Sequence, residues 1–356
     1  MSSKQGDIKI IKRDFQQSVQ RSYDQGLLCA KSLLNKDYVL MINNIETKVS
    51  SLSLKEIYIF CVLSDHYPCL FLQHKEFSKF SRDDVVKNPL ITDIFFLDTM
   101  TEMLDSPLYF LSYIKRRAVY DDNIFASQEA VILSHHLTNN LWINDRKNFL
   151  ALDDTLTASL DLAMHVRRNA ILGSKIPEGI LTWLIDTKLG KLIKNLNDDK
   201  NSISINIGLF ILNLSKKDLL EINLGIDNIV QLASSDNYNH DCSLFVDTQK
   251  IGITIHCDPV HPGNDFSLLV DHCYIRKYIS KAEIWFGLSI NLKQDILCVK
   301  ELCFPWVQSD EMDIRVSLKN LSKQHSISKK GKIGRNKSCY CGSSKKYKYC
   351  CLGRFE

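Results

Sequence analysis

No apolar run in the 356 residues approaches the roughly 18 needed to cross a bilayer. The nearest candidates, residues 57–72 and 203–214, are interrupted by Asp65 and His66 or are too short, which excludes a membrane-spanning role. The opening Met1-Ser2-Ser3-Lys4-Gln5-Gly6-Asp7 lacks the basic-then-apolar layout of a secretory signal, so the expected compartment is the cytosol. Twelve cysteines are too few for a disulfide-built scaffold, and a reducing compartment keeps most of them as thiols. Also missing are an internal repeat, a Gly-x-x-x-x-Gly-Lys-Ser/Thr phosphate loop, a Gly-x-Ser-x-Gly elbow and a His-Glu-x-x-His pair. The near match Gly331-Lys332-Ile333-Gly334 has no strand before it, which argues against ATPase activity.

What is present is a globular composition, 45% hydrophobic and 24% charged, with room for two or three domains. The net charge of +4 is unevenly spread. Residues 323–356 hold ten Lys or Arg and one Glu, so the tail is +9 and residues 1–322 are about −5. Such a tail is either a solvated extension or a surface for an anionic partner.

The pattern along the chain reads as α+β. Residues 1–118 form a mixed α/β segment: an amphipathic helix over 8–34, then strands at 37–45, 56–63 and 69–74 expected in one buried sheet. Two helices follow, separated at Ser106-Pro107. Residues 119–236 are helical, with starts at Ser127, Asp154 and Pro177. Residues 237–308 are strand-rich, with strands at 243–246, 252–256, 284–290 and 296–303. Residues 309–334 have the composition of a basic linker, and 335–353 form a separate small knuckle.

Four of the cysteines crowd into that knuckle as Cys339-x-Cys341, eight residues, then Cys350-Cys351. Four thiolates can surround one Zn²⁺ tetrahedrally at about 2.3 Å, with iron the competing metal. A disulfide between the adjacent Cys350 and Cys351 would close only a strained ring. So short a segment cannot fold by burial alone, and structural zinc supplies about 10–16 kcal/mol to peptides of this size. The four-sulfur shell carries −2, which Arg335, Lys345, Lys346 and Lys348 are placed to offset, and it leaves no open position for catalysis.

These residues resemble the SEC-C motif, the zinc-binding tail of the bacterial preprotein translocase motor that also occurs on unrelated proteins. The family's Gly-Arg-Asn lead-in stands here as Gly334-Arg335-Asn336. Its prolines before the first two cysteines are replaced by Ser338 and Tyr340, and a glycine by Ser344; the ligands are intact. The resemblance covers about twenty residues. It implies a small zinc module that docks on other macromolecules, as the translocase's does on an export chaperone and lipids and related modules do on ribosomes, and it does not imply a motor. Combined with the basic tail, it makes an anionic protein, a ribosome or nucleic acid the expected partner of a bacterial protein with structural Zn²⁺.

Weaker patterns remain. Glu46-Thr47-Lys48 after an apolar run resembles the PD-(D/E)xK nuclease core, where a carboxylate with an upstream Asp (here Asp24 or Asp37) holds Mg²⁺ and the lysine stabilises charge at phosphate. That makes a Mg²⁺-dependent nuclease with a targeting tail the alternative reading, although Asp186-Thr187-Lys188 and Asp198-Asp199-Lys200 share the spacing without a strand. His240, Cys242, His256, Cys257, His261, His272 and Cys273 offer donors for a second metal, but their spacing matches no template. Polar residues at strand ends is the preferred reading. Glu129 and His136 share one helix face, and with no His-Glu-x-x-His beside them the histidines read as surface or boundary residues. Arg116-Arg117 and Arg167-Arg168 close helices, where positive charge suits the dipole.

Overall fold

The computed structural model describes residues 8–35, 38–48, 54–64, 78–141, 149–199, 201–260 and 266–318, together with Asn336 and Lys346. The protein is α+β, as its pattern indicates. It divides into two compact units, Met1–Asn223 and Leu224–Glu356. Among the described residues no helix is long and apolar enough to cross a membrane.

In the first unit, α1 (Ile8–Phe15) and α2 (Arg21–Leu34) form one run joined by a π-turn at Gln16–Gln20. The wider turn keeps Val19 on the same buried face as Tyr23 and Ala30, against Ile59, Cys61, Val86 and Ile91. Tyr23 donates from its hydroxyl to the Ser81 carbonyl and accepts from the Ser81 amide at 2.8 Å. The expected single sheet is instead two separate pairs. Val39–Ile42 (β1) and Ile45–Lys48 (β2) make an exposed hairpin, because Asn43 and Asn44 take φ of 52° and 64° and form its two-residue turn. Phe60–Leu63 (β3) pairs in parallel with Leu90–Asp93 (β4). The expected strand at 69–74 lies outside the described residues.

One core runs across the boundary drawn at 118/119. Helices α3 (Ile94–Met103) and α4 (Pro107–Val119) pack with α5 (Glu129–Asn139) and α6 (Ala158–Asn169) through Phe96, Met100, Tyr113, Ile132, Leu133 and Leu160. Asp93 caps α3 by accepting from the Phe96 amide at 2.7 Å. The start of α4 is capped from outside: Asn197 Oδ1 accepts from the Leu108 amide at 3.1 Å and the Ser106 hydroxyl at 2.9 Å. The helix expected from Pro177 is a set of turns. There the Ile180 amide donates to the Leu137 carbonyl at 2.8 Å, ending α5. Gly179, at φ +154°, lies so close to that carbonyl that a Cβ would sit 2.0 Å from it. Helices α7 (Lys188–Asp198) and α8 (Ser202–Leu212) follow, and α9 (Lys216–Asp236) continues into the second unit.

In the first unit the short strands β5 (Ile124–Phe125) and β6 (Leu150–Ala151) also pair in parallel, whereas the second unit is built on one four-stranded sheet. Strands β7 (His240–Val246) and β8 (Ile251–Cys257) are antiparallel, β9 (Ile284–Ile290) lies parallel to β8, and β10 (Ile296–Cys303) closes the sheet antiparallel to β9. The parallel step requires a crossover, and α10 (Ser267–Ile279) supplies it. Gly252 has no side chain because the Trp285 ring occupies that space, and a Cβ would meet it at 2.3 Å. The indole donates to Thr254 Oγ1 at 3.0 Å and stacks on Phe245. Residues 310–318, expected in the linker, are helical and tied to α10. Asp313 accepts from the Tyr278 hydroxyl at 2.7 Å, and Arg315 pairs with Asp271 at 2.9 Å.

Candidate metal centre

Strand alternation sorts the second unit's polar residues onto two faces. Asp241, His256 and Ser289 are neighbours in register across β7, β8 and β9, on the face that also carries Thr254 and Gly287. That face is covered by α10, since Cys273 and Leu269 lie against Gly287. One end of α10 therefore lays His272 and, one turn later, Arg276 over the row. Arg276 Nη2 donates to Asp241 Oδ2, and His272 Nδ1 lies 3.4 Å from Asp241 Oδ1. The rings of His256 and His272 meet edge-on at 6.3 Å. One donor atom from each of Asp241, His256 and His272 lies within 4.8 Å of the other two, the one such group of His, Cys, Asp or Glu among the described residues.

Burial would push the Asp241 carboxyl up, but the His272 ring and the Arg276 guanidinium overcome it and hold the group well below the usual carboxylate range. Burial pushes His256 below its ordinary value, with the Asp241 charge pulling the other way. His256 is only 6% exposed, yet its Nδ1 has no hydrogen-bond partner, and neither does the buried Ser289 hydroxyl. Unsatisfied groups of this kind cost about 1–3 kcal/mol each. An ionised carboxylate beside two imidazoles is a donor set for a divalent transition metal.

The set foreseen from sequence divides cleanly. His256 and His272 come together. His240 points to the other face and pairs with Asp236 at 2.9 Å, and Cys242 there lies against Gly225. Burial pushes the Cys242 and Cys273 thiols up to about 12, so neither is a ready thiolate ligand. His261 lies outside the described residues. Asp241 and Ser289 were not singled out, because their spacing to the histidines follows strand register and leaves no short motif.

Glu46 and Lys48 stand exposed on β2, opposite Met41 and Val39, and Glu46 belongs to no group of three or more His, Cys, Asp or Glu donors among the described residues. Asp24 is exposed on α2, and Asp37 lies outside the described residues, as do Cys339, Cys341, Cys350 and Cys351.

Glu129 and His136 are not boundary residues. They are 3% and 0% exposed. Glu129 takes two bonds from Arg117, at 2.6 Å from Nη2 and 3.1 Å from Nε, while Arg117 Nη1 donates to Asp121 at 2.6 Å. Arg116 is also buried and donates to Asn213. This helix end is thus a buried ion network rather than a dipole complement. Arg167 and Arg168 stand in the last turn of α6 and reach the Glu102 carbonyl and the Asp98 and Glu102 carboxylates near the surface.

No protein-family model, no curated protein and no solved structure matches the chain.

Proposed function

We propose that this is a cytosolic docking protein whose C-terminal SEC-C-like module, folded around one structural Zn²⁺ on Cys339, Cys341, Cys350 and Cys351, recruits an anionic macromolecular partner. The observation that carries the reading is the ligand pattern itself, Cys-x-Cys, eight residues, Cys-Cys after Gly-Arg-Asn, set in a segment of charge +9. The closed thiolate shell gives the metal a shaping role, and the lysines around it supply the attraction. The charge asymmetry supports the same reading, because an acidic body repels the surfaces that the tail seeks.

Two outcomes are expected. Retention of the full-length protein on purified ribosomes or on an RNA homopolymer should fall steeply with salt: engaging about six phosphates predicts a loss of roughly 10³ in affinity between 50 and 200 mM. Binding that ignores salt would contradict the reading. Cys341→Ser should lose the zinc held by the tail, and docking with it, while leaving the thermal transition of the two folded units in place. Loss of that transition would place the cysteine in the body's core instead.

A further inference from the structure

We propose that Asp241, His256 and His272 bind a divalent first-row transition-metal ion in the second unit, a site separate from the tail cysteines. The argument is geometric. The three donors come from β7, β8 and α10, elements fixed relative to one another by the sheet register and by the packing of α10 on Gly287. Donor atoms around a tetrahedral ion with bonds of about 2.0–2.2 Å stand about 3.3–3.6 Å apart. The three donor atoms here lie within 4.8 Å of one another, and the Asp241–His272 pair already stands at 3.4 Å.

Arg276 engages Asp241 through Oδ2 and leaves Oδ1 on the side of His272. An ion pair alone does not account for the row, since His256 is 94% buried with Nδ1 unpartnered, and Ser289, next to it in register, is buried with its hydroxyl unpartnered. Buried polar atoms left so are rare, and two in one row beside a carboxylate mark the place of a ligand. Two imidazoles with one carboxylate suit zinc, iron or cobalt over calcium or magnesium, and three protein donors leave positions open for water or an anionic oxygen ligand. Arg276, on Asp241, and Ser289, next to His256 in register, bring hydrogen-bond donors to the same cluster. Unlike the closed thiolate shell of the tail, this is the coordination pattern of a centre that engages an exogenous ligand.

The test is a Co²⁺ titration of the metal-stripped full-length protein, read by visible absorption. Thiolate coordination gives an intense sulfur-to-cobalt charge-transfer band, whereas nitrogen and oxygen donors give only weak ligand-field bands, so the two sites separate in one spectrum. The wild type is expected to bind one equivalent of Co²⁺ without a charge-transfer band, in addition to any thiolate-bound ion. His256→Gln, His272→Gln and Asp241→Asn should each lose that equivalent and leave the thiolate band unchanged. The proposal is overturned if every bound Co²⁺ in the wild type is of thiolate type, a result independent of whether the variants fold. It is equally overturned if folded variants bind as many ions as the wild type. Absence of the thiolate band alone would count against the tail reading and leave this site standing.

Discussion

Arg117→Ala is expected to destabilise the unit of residues 1–223 by about 3–5 kcal/mol, because it leaves the Glu129 and Asp121 carboxylates buried without their counter-ion. All three side chains are buried, so water cannot replace the guanidinium. The network also joins α4 to α5 beside the apolar cluster that holds Tyr113, Ile132 and Leu133, and loosening it exposes them. The loss belongs to the unpaired charges rather than to the net worth of the pair. Arg117→Met combined with Asp121→Asn and Glu129→Met should therefore recover most of the stability. Urea unfolding of the three proteins checks this, and a cost below about 1 kcal/mol for Arg117→Ala would show that the carboxylates find other partners.

Acidification should weaken the same unit through His136. Burial holds its imidazole well below the ordinary value, and the Arg116 and His135 charges push the same way. Both ring nitrogens lack partners, and the ring stacks obliquely on Tyr113 at 5.1 Å. A group whose folded pKa is depressed adds stability above its unfolded value, near 6.5 for histidine, and that stability drains as pH falls toward the folded value. One such histidine can remove at most about 1.4 kcal/mol per pH unit below about 6.5, so stability is expected to fall steadily as pH drops below that value. Hydrogen exchange of the α5 amides reads this unit alone. The slope should shrink in His136→Phe, and an unchanged slope would assign the acid sensitivity to other groups.

How much of this was legible follows from the range of the interactions involved. The helices over 8–34 and 94–119 were readable because their apolar spacing is local, and β9 and β10 because aliphatic, aromatic and cysteine side chains fill most of their length. The pairing of β3 with β4 was not readable, since a parallel register joins segments that no local pattern connects. Helix α10 escaped notice because its buried stripe runs Leu269, Cys273, Lys277. The lysine breaks the apolar signal, yet its ammonium is satisfied by the Ala282 and Phe304 carbonyls at 2.6 and 2.7 Å and lies over the Phe304 ring. Missing α10 concealed the Asp241, His256 and His272 cluster, because two strands alone never bring His272 over β8. The tail behaves in the opposite way. Its four cysteines are close in sequence, so the proposed ligand set follows from spacing alone while its partner does not.

The most direct measurement is the zinc content of full-length protein purified without chelators, beside a variant with Cys350 and Cys351 changed to serine. The account predicts that the wild type carries one more zinc per chain than the variant. Equal zinc in the two proteins, or none in the wild type, would contradict it.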